Sequence, residues 1–304
     1  MLPRPVRPLL EYAPVQKTRL ASVSYLNALP FNWGLTHGSG SGLFDLTLAP
    51  PAECARLLAD GLVDAALIPS IEFARISGLT PIHSLGISSS EEVRSVLLVT
   101  GTEPGKISRV AVDLNSRTSV ALLRLILARR YGCRPLFVAM RPELGPMLDG
   151  NDAALLIGDA ALRASHEHGG WLEKGGGTTG HRMLDLAREW NEMTRMPFVF
   201  ALWACRPVVS VGKVSAALHV ALEEGLAHLD EISRDESART GLPREMISSY
   251  LRFNIGYRLG GAESDSLRFF FRLCRDEGIL GAQAVGPDPG LRRSSPIVNI
   301  GWNR

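Results

Sequence analysis

From residue 19 the chain alternates short, nearly uninterrupted apolar runs with amphipathic stretches of helical spacing. No other feature limits the fold as much. The runs are 19–25 (RLASVSY), 43–49 (LFDLTLA), 64–70 (DAALIPS), 93–100 (VRSVLLVT), 109–114 (RVAVDL), 135–140 (PLFVAM), 153–158 (AALLIG) and 198–204 (FVFALWA). Between them lie helical segments such as PAECARLLADGL, where Pro51 suits a first turn and Gly61 a stop. In SVALLRLILARRYG, Leu122, Leu123, Leu125, Ile126 and Leu127 form a broad apolar stripe. Strands apolar on both faces, alternating with helices, predict an α/β fold built on parallel sheets.

After residue 214 the pattern becomes helical, with VSAALHVALEEGLAHLDEISR expected as one long helix and LPREMISSYLRF and SDSLRFFFRLCRDEGIL as two more. Two α/β blocks followed by helices predict a bilobal clamshell with a central cleft and a helical C-terminal tail. The chain is expected to cross between lobes near 102–106 (TEPGK) and 203–207 (WACRP). Lobe I is then 19–103 plus 205–304, and lobe II is 104–204. The proline-punctuated 1–18 reads as a disordered or surface-wrapped leader without the apolar core of a secretory signal. GGGTTG at 175–180 reads as a surface loop.

Composition excludes several function classes. A net charge of +2 with scattered basic residues gives no nucleic-acid footprint. No apolar run approaches the ~18 residues of a membrane span. Cys54, Cys133, Cys205 and Cys274 stand far apart, without zinc or disulfide-framework spacing, and read as small apolar residues in a reducing compartment. GxSxG, P-loop and HExxH motifs are missing. His166 and His168 are two residues apart on a presumed helix, which does not align them. His37, His83 and His181 sit in loop-like segments, so no metal site is expected.

Open α/β sheets bind ligands beyond the carboxyl ends of their strands. Those positions carry Ser24, Tyr25 and Asn27 after the first run, Ser70 after the third, Ser116, Arg117, Thr118 and Ser119 after the fifth, and Gly158 and Asp159 after the seventh. In NSRTSVALL a strand end meets a helix start, with Ser116 or Thr118 as N-cap. Free N–H groups, hydroxyls and Arg117 there suit a carboxylate or phosphate. A plain helix cap accounts for the same residues, and SYLNALP is equally read as a helix start capped by Ser24 or Asn27. Ser95, inside an apolar run, serves either a ligand or the backbone.

SYLNALPFNWGL, DAALIPSIEF, VRSVLLV, NSRTSVALLRLIL, DAALLIGDAAL and LAREWNEMTRMPFVFALWA occur in this order between about 19 and 207. Together they resemble the chorismate dehydratase family of the futalosine route to menaquinone. The resemblance implies a fold like the type II periplasmic binding proteins, used inside the cell as an enzyme. It implies elimination of water from chorismate to give 3-[(1-carboxyvinyl)oxy]benzoate. The chain is expected to need no cofactor and to be a cytoplasmic monomer or homodimer. It places the family's functional asparagine on Asn27 and its functional serine on Ser95, with a substrate carboxylate at Ser116–Ser119. Two rival readings have the same fold. One is a solute-binding protein without catalysis, and the other is the sister enzyme that cleaves dehypoxanthine futalosine. SYLN favours the dehydratase.

Overall fold

A computed structural model describes residues 17–167, 181–207 and 210–281. Most of the expected leader, the loop at 175–180 and His168 lie outside the described residues. Among the described residues eleven strands form two sheets. In chain order they are β1 (Thr18–Val23), β2 (Phe44–Ala49), β3 (Ala65–Pro69), β4 (Thr80–Ser89), β5 (Val96–Thr100), β6 (Arg109–Asp113), β7 (Leu136–Met140), β8 (Ala153–Ile157), β9 (Arg182–Asp185), β10 (Phe198–Cys205) and β11 (Gly256–Arg258). The helices are α1 (Leu29–Thr36), α2 (Pro51–Ala59), α3 (Ser70–Arg75), α4 (Thr118–Arg129), α5 (Leu144–Leu148), α6 (Gly158–Glu167), α7 (Leu186–Thr194), α8 (Val211–Ala227), α9 (Leu229–Thr240), α10 (Arg244–Ser249) and α11 (Gly261–Asp276).

The first sheet runs β11-β4-β10-β3-β1-β2 and the second β7-β6-β8-β5-β9. All eight apolar runs are strands, and β3, β5, β8 and β10 are buried at every position, as two-sided packing requires. Both sheets are mixed, however. β1 pairs in parallel with β2 and β3, and β6 with β7 and β8, while β10 and β5 run antiparallel to their neighbours. The reason lies in the crossings. Each crossing strand starts at the edge where the parallel strands finish: Val96 lies opposite Ile157 at the end of β8, and Ala201 opposite Pro69 at the end of β3.

The crossings therefore fall one strand away from the expected places. β5 already belongs to the second sheet and β10 to the first. The chain leaves the first sheet between Ser89 and Val96 and returns between Thr194 and Phe198, so 102–106 and 203–207 are not the links. Each link contains one arginine in left-handed backbone, Arg94 (φ 60°) and Arg195 (φ 62°).

Pro51 opens α2, and Gly61 at φ 72° follows its end. The expected long helix over 214–234 is broken at His228 into α8 and α9. The helical tail also returns a strand, β11, to the first sheet, and Tyr250–Asn254 form a turn of π-helix before it.

Candidate functional site

A cleft of about 530 Å³, counted to its open mouth, lies where the strand ends of the two sheets face each other. Its lining includes Tyr25 and Asn27 after β1, Ser95 before β5, Asn115–Ser119 at the junction of β6 and α4, Gly158 after β8, and Phe200 and Ala201 from β10. Strand carboxyl ends and crossing strands converge there because both lobes present the same edge.

The end of β1 is fixed by α1, where the buried Asn32 amide donates to the Val23 carbonyl at 2.9 Å. The chain then turns, with Ser24 N–H on the Ala49 carbonyl. Leu26–Ala28 make a single 3-10 turn that no side chain caps. Asn27 sits inside this turn, so the cap reading of SYLN does not hold for Asn27 or Ser24. The Asn27 Oδ1 is buried without a hydrogen-bond partner. A buried amide left unpaired costs about 1–3 kcal/mol unless something completes it.

The start of α4 is the second such place. Asp113, 1% exposed, accepts from the Asn115 N–H at 2.9 Å and shapes the turn. Burial raises its carboxyl above the usual range. The N-cap residue is Arg117, whose backbone is already helical (φ −119°, ψ −65°), and no side chain caps the helix. Neither Ser116 nor Thr118 does so. Ser116 Oγ is buried and unpaired, whereas Thr118 Oγ1 accepts from the Ile71 N–H at 3.2 Å. Arg117 is exposed at the mouth, and its guanidinium makes no hydrogen bond or ion pair among the described residues. The result is a helix N-terminus, a free hydroxyl and a guanidinium side by side, which favours an anion.

Other expected residues are occupied by the protein itself. Ser24 is exposed and off the cleft lining. Ser70 is fully buried and bonds the Val199 carbonyl at 2.8 Å. Asp159 accepts from the Leu26 N–H at 2.9 Å, holding the Asn27 turn to α6 across the lobes. Tyr25 lies over Gly158, and a Cβ built there would meet its ring at 2.4 Å. That contact and the φ of 58° together make glycine necessary at 158. Burial, then the nearby Asp113 and Asp159, raise the Tyr25 phenol, which therefore stays a neutral donor.

Ser95, 1% exposed, lines the cleft and accepts a 2.8 Å hydrogen bond from the Tyr250 hydroxyl. Tyr250 is a partner the sequence reading missed. It sits in a helical pattern with nothing to mark it. Among the described residues no group of three or more His, Cys, Asp or Glu is placed to hold a metal ion.

A family model described as menaquinone biosynthesis matches residues 18–276. A chorismate dehydratase from Thermus thermophilus is 32% identical over 240 residues, covering 75% of this chain and 85% of the relative. One from Campylobacter jejuni is 27% identical over 188 residues, covering 60% of this chain and 65% of the relative. Among solved structures, protein AF1704 from Archaeoglobus fulgidus superposes with a TM-score of 0.71 at 20% identity, covering 87% of this chain and 98% of that one. The periplasmic aliphatic sulphonate binding protein SsuA from Escherichia coli gives 0.62 at 15% identity, covering 95% and 96%. At such identities the structural likeness shows the fold alone, that of the periplasmic binding proteins.

Proposed function

The chain belongs to the menaquinone-biosynthesis family, and from that premise we infer that it eliminates water from chorismate to give 3-[(1-carboxyvinyl)oxy]benzoate. The observation that carries the reading is the set of cleft groups left unpaired: the Asn27 amide, the Ser116 hydroxyl and the uncapped start of α4 beside Arg117. All are neutral or positive, as a dianionic substrate requires.

Chorismate carries one carboxylate on its ring and one on its enolpyruvyl ether. Breaking the ring C3–H and C4–O bonds makes the ring aromatic, which supplies the driving force. A carbanion developing at C3 delocalises through the diene into the ring carboxylate. With that carboxylate at the N-terminus of α4, the N–H groups meet charge that grows along the reaction. Among the described residues the cleft lining offers no carboxylate or imidazole as base. We assign proton removal to the substrate's own enolpyruvyl carboxylate, which passes the proton to the departing C4 hydroxyl as water. Asn27 and Ser95 orient the substrate and hydrogen-bond the leaving group, so positioning supplies much of the rate.

Elimination of water passes no electrons to an acceptor, which supports a lyase without cofactor. The expected assembly is a monomer or homodimer. The four cysteines are free, in keeping with a reducing, cytoplasmic setting. No helix among the described residues is long and apolar enough to cross a membrane.

Incubating the purified protein with chorismate, with the product identified by mass spectrometry, tests this reading. Loss of one water is expected. Binding without product would favour the solute-binding alternative.

A further inference from the structure

Two hydroxyls meet at the first crossing, Tyr250 from the π-helical turn and Ser95 from the residue before β5, 2.8 Å apart. Each has one proton to donate, and only one proton can occupy their shared bond. Tyr250 is 1% exposed, and Ser95 is the sole hydrogen-bond partner of its hydroxyl among the described residues. If Ser95 donated, the phenolic proton would be stranded in the core without an acceptor, which buried polar groups avoid. Tyr250 is therefore the donor. The remaining proton belongs to Ser95, whose one open side is the cleft.

The backbone around Ser95 is equally constrained. The N–H groups of Val93 and Arg94 bond the Asp185 carboxylate at 3.2 and 2.6 Å, and the Ser95 carbonyl accepts from Gly158 N–H at 2.7 Å. The backbone at Ser95 is thus held in place, and the Tyr250 bond fixes the direction of its side-chain hydroxyl.

We propose that Tyr250 is a positioning residue that holds the Ser95 hydroxyl as a donor aimed at the departing C4 oxygen. This rests on the dehydratase reading and on the place of Ser95 within it. An accepted hydrogen bond also strengthens the donor it polarises, so the tyrosine improves the serine without touching substrate.

Tyr250→Phe removes one oxygen and keeps the ring. With chorismate as substrate, kcat is expected to fall roughly tenfold or more while KM stays within about twofold. In a Ser95→Ala background the same change should have no further effect on kcat, because the hydroxyl it orients is gone. A purely structural tyrosine would lower the melting temperature and leave kcat alone, and that result overturns the proposal. So does a Tyr250→Phe loss that is equally large with and without Ser95. Wild-type turnover with a fully active Ser95→Ala enzyme would overturn the role of Ser95 and this inference with it, leaving the dehydratase reading intact. Absence of product from the wild type would overturn the dehydratase reading itself and, with it, this one.

Discussion

Helices α4 and α7 belong to the same lobe and pack against each other, yet their starts are finished in opposite ways. At α7 the N-cap residue Asp185 is extended (φ −79°, ψ 119°), so its carboxylate folds back onto the N–H groups of Ala187 and Arg188. The same carboxylate takes the N–H groups of Val93 and Arg94 from the lobe crossing. At α4 the N-cap residue Arg117 is already helical, and no side chain reaches the free N–H groups. One helix has its anion built in, and the other leaves the place for a ligand. The difference shows that sequence type does not mark the site. Both starts are rich in polar residues, and only pairing separates structure from function.

Copying α7 into α4 is the strongest way to break the contrast. Arg117→Asp replaces the guanidinium at the mouth with a carboxylate beside the helix start. Near-surface Coulomb energies at close range amount to several kcal/mol. The kcat/KM for chorismate is expected to fall by at least about a hundredfold, with the melting temperature little changed. A variant within threefold of wild type would show that no substrate carboxylate binds there.

The converse experiment empties α7. Asp185→Ala strands two buried and two half-buried N–H groups and removes a cap, which should cost about 3–5 kcal/mol in urea unfolding. Asp185→Asn keeps Oδ1, the acceptor for Val93, Ala187 and Arg188, and loses only the Arg94 bond made by Oδ2. It should therefore be much milder than alanine. Equal losses for the two variants would mean that the charge matters and the hydrogen bonds do not.

These distinctions explain what the sequence could disclose. The eight apolar runs were legible because two-sided burial writes a continuous apolar pattern. β4 was not, since TPIHSLGISS carries Pro81, Gly86 and three serines and gains its order from lying between β10 and β11. β9 and β11 are four and three residues long, too short to show a period. Polar residues at strand ends were visible, but their partners were not. Ser95 and Tyr250 are 155 residues apart, and Leu26 and Asp159 are 133 apart. No local pattern signals such pairs, so Asp159 and Ser70 looked like ligand contacts until the fold showed them engaged. The crossings were misplaced for a related reason: proline and glycine at 102–106 mark a turn within the second lobe, while the true link bends through arginines.

Asp185 also gives the comparison a pH dependence. Burial outweighs the four N–H bonds and pushes its carboxyl up to about 6, against about 3.9 in an unfolded chain. A raised carboxyl means that the folded state holds the proton more tightly. Its contribution is complete below about pH 4 and is lost as pH rises through about 6. The two-unit difference corresponds to at most about 3 kcal/mol. The unfolding free energy of the wild type minus that of Asp185→Asn should therefore shrink between pH 4 and 6.5. A difference that grew over this range would reverse the sign and show that the N–H bonds dominate burial.

The smallest effect tests how much Arg117 adds to a bare helix start. Arg117→Ala leaves the α4 N–H groups and the Ser116 hydroxyl in place and removes only the exposed guanidinium. A forked donor suits a carboxylate, but an exposed ion pair contributes no more than about 1 kcal/mol. KM for chorismate should rise up to about fivefold while kcat is nearly constant, since the ring carboxylate stays on the helix start as charge develops. The rise should weaken with added salt, because an exposed pair is screened within about 10 Å at 0.1 M ionic strength. A loss confined to kcat would instead place the guanidinium on charge that appears only in the transition state. Unchanged kinetics would leave α4 to bind its anion through N–H groups alone, the way α7 holds Asp185.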